Sequence, residues 1–152
     1  MVTYYLDTSA LLKQYLNETG SQWLRQTITP HDVRVTSQIA IIETVSGFNR
    51  RLREGSVTPH DYARLSGRLR QDSYQLYQLI GLNTPIINLA WNLLEQHLLR
   101  GYDAVHLATA LFIQQKLTQS GEAPLIFLSA DNRLLTAAQT EGIATDNPNL
   151  YP

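Results

Sequence analysis

Four acidic residues of this chain stand where apolar segments begin or end, rather than on the solvated surfaces where acidic side chains usually lie. They are Asp7, Glu43, Asp103 and Asp131. An isolated ionised carboxylate in apolar surroundings costs several kcal/mol, or its pKa shifts until it is neutral. Four converging carboxylates would also repel one another unless a cation lay among them. The residue types therefore predict a metal site, and Mg²⁺ or Mn²⁺ is the ion that an all-carboxylate site prefers.

Each of these acids also has an ordinary explanation when it is taken alone. An aspartate just before a helix is a common N-cap, which applies to Asp7, Asp103 and Asp131. Glu43 lies inside the apolar segment 39–45, where it has no capping role, although it could be an exposed residue of an amphipathic helix. The prediction of a metal site therefore depends on the four side chains meeting in the folded chain.

Three nearby polar residues could support such a site. Ser9 and Ser129 could donate hydrogen bonds to the neighbouring carboxylates, although local turn or cap bonding is the alternative. His106 lies one helical turn after Asp103 and could orient it, or it could be a packed helix residue with no such role.

Other common chemistries lack their motifs. Cysteine is absent, which excludes disulfides, zinc fingers and thiol nucleophiles. The chain has no glycine-rich dinucleotide fingerprint, no phosphate-binding loop ending in Gly-Lys-Ser or Gly-Lys-Thr, and no Gly-x-Ser-x-Gly elbow. The four histidines show no ligand spacing, and Asp7 lacks the second aspartate that an aspartyl-phosphate phosphatase needs two residues later.

Arginine supplies ten of the twelve basic residues, although the net charge is only −1. Its planar guanidinium suits bidentate phosphate contacts. Arg50, Arg51 and Arg53 fall in one expected helix and are our candidates for binding nucleic-acid phosphates. The alternative is that they form an ordinary solvated helix face.

Strand and helix signals alternate along the chain. We expect short strands at residues 2–6, 33–36, 79–82, 125–128 and 143–145. We expect helices at about 11–16, 21–28, 37–54, from 59, 84–99, 103–118 and 131–141. This alternation predicts an α/β sandwich with a parallel sheet. Ligands bind at the carboxyl ends of such strands, where Asp7 and Asp131 are expected.

The length of 152 residues fits one domain. We assign residues 1–146 to it and expect residues 147–152 to form a loose tail. The apolar run at the start is broken at Asp7 and is too short for a signal peptide or a membrane span. We therefore expect a cytoplasmic protein with no membrane association.

Several strings together resemble a known family. Leu-Asp-Thr-Ser-Ala-Leu stands near the start, and an apolar helix with one glutamate follows it. Asp-Ala-Val-His-Leu-Ala-Thr-Ala-Leu and Phe-Leu-Ser-Ala-Asp-Asn-Arg-Leu-Leu come later. This order resembles the PIN-domain ribonucleases, particularly the VapC-type toxins of bacterial type II toxin–antitoxin pairs.

The resemblance implies a three-layer sandwich with a parallel sheet of about five short strands. It also implies a Mg²⁺ or Mn²⁺ site formed by the four acids, endonucleolytic RNA cleavage, a homodimer, and an antitoxin that occludes the site. Our hypothesis is metal-assisted hydrolysis of RNA phosphodiester bonds. Asp7 and Asp103 would bind the ion directly, while Glu43 and Asp131 would hold metal-bound waters or a second ion.

Two further expectations concern the helix that starts at Pro59. Its apolar residues have near-helical spacing and could form a symmetric dimer contact, or they could face their own core; they are Tyr62, Leu65, Leu69 and Leu76. Asp72 is expected on a solvent-facing turn.

Two other functions stay open. The chain could be a catalytically silent PIN-like module that binds a partner protein, or a Mg²⁺-dependent phosphohydrolase acting on a small phosphate ester. An open groove rimmed by arginine would favour RNA, whereas a closed pocket would favour a small substrate.

Overall fold

Residues 1–152 are described by a computed structural model, which confirms the predicted α/β architecture. Five parallel strands form one sheet in the order β3-β2-β1-β4-β5. The strands are β1 (Thr3–Leu6), β2 (Val33–Ser37), β3 (Tyr77–Ile80), β4 (Ile126–Leu128) and β5 (Ala144–Asp146). The helices are α1 (Thr8–Tyr15), α2 (Ser21–Thr27), α3 (Gln38–Glu54), α4 (Pro59–Gln75), α5 (Thr84–Gln96), α6 (Gly101–Gln119) and α7 (Asn132–Thr140).

Local capping signals set several of these boundaries. The Ser37 hydroxyl accepts from the backbone N–H of Ile39 at the start of α3. Thr58 does the same for α4, which has Pro59 at its first position. Gly55 ends α3 with φ +80°, a left-handed conformation that glycine adopts without a Cβ clash.

Alternating strand residues build two separate cores, one on each face of the sheet. Leu6 and Leu128 face α1–α4, whereas Tyr5 and Phe127 face α5–α7. The first three strands extend in one direction, and the chain then returns so that β4 pairs with the other side of β1. This reversal leaves a crevice at the carboxyl ends of β1 and β4, the usual ligand position in an open α/β sheet.

The structure corrects two predicted boundaries. Helix α6 begins at Gly101 with Arg100 as its N-cap, so Asp103 is its third residue and not its cap. Strand β3 lies at 77–80 instead of 79–82, because its pairing with β2 matches Arg34 to Tyr77 and Ser37 to Ile80. None of the helices combines the length and the hydropathy needed to cross a membrane.

Helix α4 presents different faces from those expected. Leu65 and Leu69 are buried in the core beneath the sheet, so they are not available for a dimer contact. Asp72 accepts a hydrogen bond from the Tyr15 hydroxyl at 2.8 Å and lies 3.7 Å from Nε of Arg68. It is therefore a structural residue and not a solvent-facing one.

The segment after β5 is packed, not loose. Pro148–Leu150 form a 3₁₀ turn, and the ring of Tyr151 stacks on Trp23 with centroids 4.1 Å apart. A Cβ added at Gly20 would lie 2.1 Å from the Pro148 carbonyl oxygen, so the backbones meet there directly. The end of the chain is thus docked on α2.

Candidate active site

Asp7 lies at the bottom of the crevice, directly after β1, and is 4% exposed. One carboxylate oxygen, Oδ1, accepts from the Ser9 hydroxyl at 2.6 Å and from the Ala10 backbone N–H at 2.9 Å. The other, Oδ2, accepts from the Ser129 hydroxyl at 2.6 Å. Asp7 therefore caps α1 and is also tied to the end of β4, which leaves its carboxylate one orientation.

Burial raises the pKa of Asp7 above its ordinary value. The charge of His106 and the hydrogen bonds of Asp7 oppose this shift but do not cancel it. An ionised Asp7 is consequently unfavourable in this setting unless a positive charge comes near it.

Asp103 and Asp131 stand at the two helix starts on the same edge of the sheet. Asp103 is half-buried, and its Oδ2 accepts from the Arg100 backbone N–H at 3.4 Å. Burial raises the pKa of Asp103, and the charges of Asp131 and Asp7 raise it further. Asp131 is exposed and caps α7 by accepting from the Arg133 backbone N–H at 2.9 Å. The three aspartates thus share one electrostatic environment.

Glu43 approaches the crevice from α3 and is held by two donors. Its Oε1 accepts from the Thr8 hydroxyl at 2.7 Å and lies 3.0 Å from Nε2 of His106. Burial raises the pKa of Glu43, but the hydrogen bonds from His106 and Thr8 outweigh it, so the pKa lies below its ordinary value. Since Thr8 directly follows Asp7, Glu43 is linked to the same site.

His106 makes no hydrogen bond to Asp103, so of the two roles that the sequence allows it does not have the one of orienting that aspartate. Its ring nitrogens contact Glu43 and Thr8 on one side and the hydroxyl of Tyr5 on the other. Three residues of separation along α6 place Asp103 and His106 on one helix face, but the hydrogen bonds of the imidazole run to other elements. Sequence analysis missed Thr8 and Tyr5. Only Thr8 carried a signal, as a polar residue next to Asp7.

The donor set fits a hard, hydrated cation. No three acidic or histidine side chains lie close enough together to hold an ion by direct bonds alone. The predicted four-carboxylate cage is therefore not closed. Mg²⁺ usually keeps several waters and takes only one or two carboxylates directly, so an open set of carboxylates of this kind suits it.

The arginines are distributed differently from the prediction. Arg50 and Arg53 are exposed on α3, but Arg51 is engaged by a 2.7 Å contact from its Nη2 to Oε2 of Glu18. Arg100 and Arg133 are also exposed, and each stands within three residues of a crevice aspartate. Sequence analysis did not select these two, although their proximity to Asp103 and Asp131 was a usable signal.

The large cavities lie away from the four acids. A groove of about 650 Å³ runs between α5 and the start of α6, and another of about 690 Å³ lies between α3 and α4. None of the four candidate acids lines either groove. The carboxylate site is therefore separate from both apolar grooves.

Asp7 and Asp131 follow β1 and β4, between which the strand order reverses, and open α/β sheets bind their ligands at such a switch point. The family model for the PIN domain matches residues 4–139. The chain belongs to the PIN domain family, which confirms the resemblance found in the sequence.

Known relatives match nearly the whole length of this chain. Ribonuclease VapC49 from Mycobacterium tuberculosis (strain ATCC 25618 / H37Rv) is 29% identical over 152 residues, covering 100% of both chains. Among solved structures, FitAcB from Neisseria gonorrhoeae has a TM-score of 0.65 at 16% identity, covering 95% of this chain and 97% of that one. A toxin-antitoxin complex from Klebsiella pneumoniae has a TM-score of 0.63 at 17% identity, with coverage of 95% and 97%.

Proposed function

We propose that this chain is a Mg²⁺- or Mn²⁺-dependent endoribonuclease and the toxin of a toxin–antitoxin pair. The observation that carries the proposal is Asp7, a buried carboxylate held by two serine hydroxyls beside Asp103 and Asp131. The full-length match to a VapC ribonuclease supports RNA as the substrate.

The four acids would have two different roles in binding the ion. Asp7 and Asp103 would bind it directly, and Glu43 and Asp131 would orient its waters. When bound, such an ion lowers the pKa of a water molecule and neutralises charge on the scissile phosphate. Ser9 and Ser129 keep the Asp7 carboxylate in one orientation, as outer partners of metal ligands usually do.

RNA contacts would come from the exposed arginines around the crevice. Arg100 and Arg133 flank the aspartates, whereas Arg50 and Arg53 stand farther along α3. Neither of the two large cavities contains the four acids, which favours an extended polymer over a small phosphate ester that an enzyme would usually enclose. The intact set of four acids argues against a silent module.

A cleavage assay with matched variants tests the proposal. Purified protein should cleave RNA in Mg²⁺ or Mn²⁺ and stop in EDTA, and Asp103→Asn should remove the activity. The control is Glu122→Gln. Glu122 is exposed, makes no side-chain hydrogen bond and precedes β4, at the end of the strands opposite to the site. Full metal-dependent activity in Asp103→Asn would refute the site, and the absence of cleavage with every metal would refute the function.

An antitoxin partner is the second part of the proposal, supported by the toxin-antitoxin complex among the structural neighbours. A small DNA-binding protein encoded beside this gene should copurify with the chain on co-expression. It should also inhibit RNA cleavage. Copurification without inhibition would contradict an antitoxin that occludes the site.

A homodimer remains our proposal, but its surface must differ from the buried face of α4. The groove between α5 and α6 is lined by exposed apolar side chains, including Ile87, Trp91 and Tyr102. Contiguous apolar patches of this kind are uncommon on monomers. Light scattering should show that Trp91→Glu is monomeric, whereas Leu150→Glu, at an exposed apolar residue elsewhere, should leave the dimer intact.

A further inference from the structure

We propose that His106 is a positioning residue that holds Glu43 in the crevice, and that the Tyr5 hydroxyl stabilises the tautomer in which it does so. This inference rests on the proposed ribonuclease function, because Glu43 matters for catalysis only if the crevice is the active site. It adds a defined role for a buried histidine outside the four acids.

Both ring nitrogens of His106 are engaged, and the side chain is almost fully buried, with 2% of the residue exposed. Nδ1 lies 2.8 Å from the hydroxyl of Tyr5, which is fully buried in β1. Nε2 lies 3.0 Å from Oε1 of Glu43 and 3.1 Å from the hydroxyl oxygen of Thr8. The imidazole thus bridges the sheet core and the crevice.

The partners determine where the imidazole proton sits. An ionised carboxylate accepts hydrogen bonds and donates none, so the short contact to Glu43 requires a proton on Nε2 of His106. In the neutral ring Nδ1 is then an acceptor, and the Tyr5 hydroxyl donates to it. The proton on Nε2 lies between Oε1 of Glu43 and the hydroxyl oxygen of Thr8, and the Thr8 hydroxyl itself donates to Glu43.

Tyr5 is itself immobilised by its neighbours. Its ring stacks on Phe127 with centroids 5.3 Å apart and planes 5° from parallel. It meets the His106 ring edge-on at 5.9 Å. The packed core therefore holds the imidazole on its Nδ1 side, while Glu43 and Thr8 contact its Nε2 side.

The effect on Glu43 is to anchor one carboxylate oxygen and leave the other free. Oε1 receives both donors, one from α1 and one from α6, while Oε2 has no hydrogen bond to the protein. Without these anchors a glutamate on a helix surface would rotate through several side-chain conformations. A misplacement of about 1 Å can cost about 10²-fold in rate, so the anchor has a measurable consequence.

Three substitutions of His106 separate positioning from simple packing. The amide of glutamine reaches about as far as Nε2 and can donate to Glu43, whereas that of asparagine reaches only as far as Nδ1 and can bond Tyr5. Leucine makes neither bond. We expect His106→Leu and His106→Asn to lose about 10²-fold in RNA cleavage rate. His106→Gln should recover most of that loss.

Stability and spectroscopy complete the test. Thermal denaturation checks that all three variants are folded. Nitrogen-15 NMR of the unmodified protein should show the Nε2–H tautomer of His106, and Tyr5→Phe should weaken that preference. The loss in Glu43→Gln should not add to the loss in His106→Leu, because the two residues act through one contact.

Equal activity in folded His106→Asn and His106→Gln would overturn the proposal, as would an Nδ1–H tautomer. If the unmodified protein cleaves no RNA, the proposed function fails, and the catalytic role of Glu43 fails with it. The nitrogen-15 spectrum then still decides whether the contact between His106 and Glu43 exists.

Discussion

Replacing Asp7 by asparagine should stabilise the metal-free protein at neutral pH while removing RNA cleavage. Burial raises the pKa of Asp7 even though two hydroxyls and one backbone N–H donate to it. The ionised form is therefore less favourable in the folded chain than in the unfolded one. Asparagine imitates the neutral form: its oxygen can accept from Ala10 and Ser9, and the hydroxyl of Ser129 can rotate to accept from its amide NH2.

The size and the pH dependence of this gain follow from linkage. When folding raises the pKa of an acid by one unit, the protein loses about 1.4 kcal/mol of stability at a pH where the acid is ionised in both the folded and the unfolded state. In a domain of this size that free energy shifts Tm by roughly 3 to 6 °C. The penalty is full above the raised pKa and disappears as the pH falls below the ordinary value of 3.8. Asp7→Asn should therefore be more stable at pH 7 and no more stable below pH 3.8.

Denaturation in EDTA at both pH values measures this effect, and RNA cleavage in Mg²⁺ measures the loss of function. Loss of an outer partner of a metal ligand costs about 10- to 100-fold, which is our expectation for Ser129→Ala. The loss of cleavage rate in Asp7→Asn should be larger than about 100-fold. Glu122→Gln should change neither the stability nor the cleavage rate. A lower Tm for Asp7→Asn at pH 7 would refute the burial argument. Full cleavage activity would refute the assignment of Asp7 to the metal.

Two other predictions concern the scaffold. Asp72→Asn should lower the free energy of unfolding by about 1 to 2 kcal/mol in urea denaturation, because it weakens the hydrogen bond from Tyr15, and it should not change RNA cleavage. Gly20→Ala should destabilise the fold by more than about 2 kcal/mol, since φ is +82° and the new Cβ would strike the Pro148 carbonyl. Gly55→Ala has a similar φ of +80° but open space, so it should cost only about 1 to 2 kcal/mol when both glycine variants are measured by the same urea denaturation. Equal losses for the two glycines would contradict the docking of the C-terminal segment.

The sequence predicts where helices end better than it predicts which face of a helix is buried. Leu65 and Leu69 have the spacing of an apolar stripe, and the spacing does not say whether that stripe meets its own core or a partner. Asp72 was expected in solvent, but Tyr15 of α1 reaches it across 57 residues of sequence. The last six residues have no strong periodicity, so the sequence does not indicate that they are packed. The stacking of Tyr151 on Trp23 explains why they are.

Local features could be read from the order of residues alone, because caps and turns depend on residues within a few positions of one another. Ser37, Thr58 and Gly55 set helix ends in this way. The aspartates after β1 and before α7 could be identified for the same reason, since a strand end followed by a cap residue is a local pattern.

Contacts between distant segments of the chain come from its tertiary fold. The strand order puts β1 beside β4, and that pairing brings Ser129 to Asp7 across 122 residues. The position of α6 over the sheet brings His106 to Tyr5 and Glu43, at separations of 101 and 63 residues. No periodicity encodes such contacts, because they depend on how whole elements pack and not on the spacing of residues within one element.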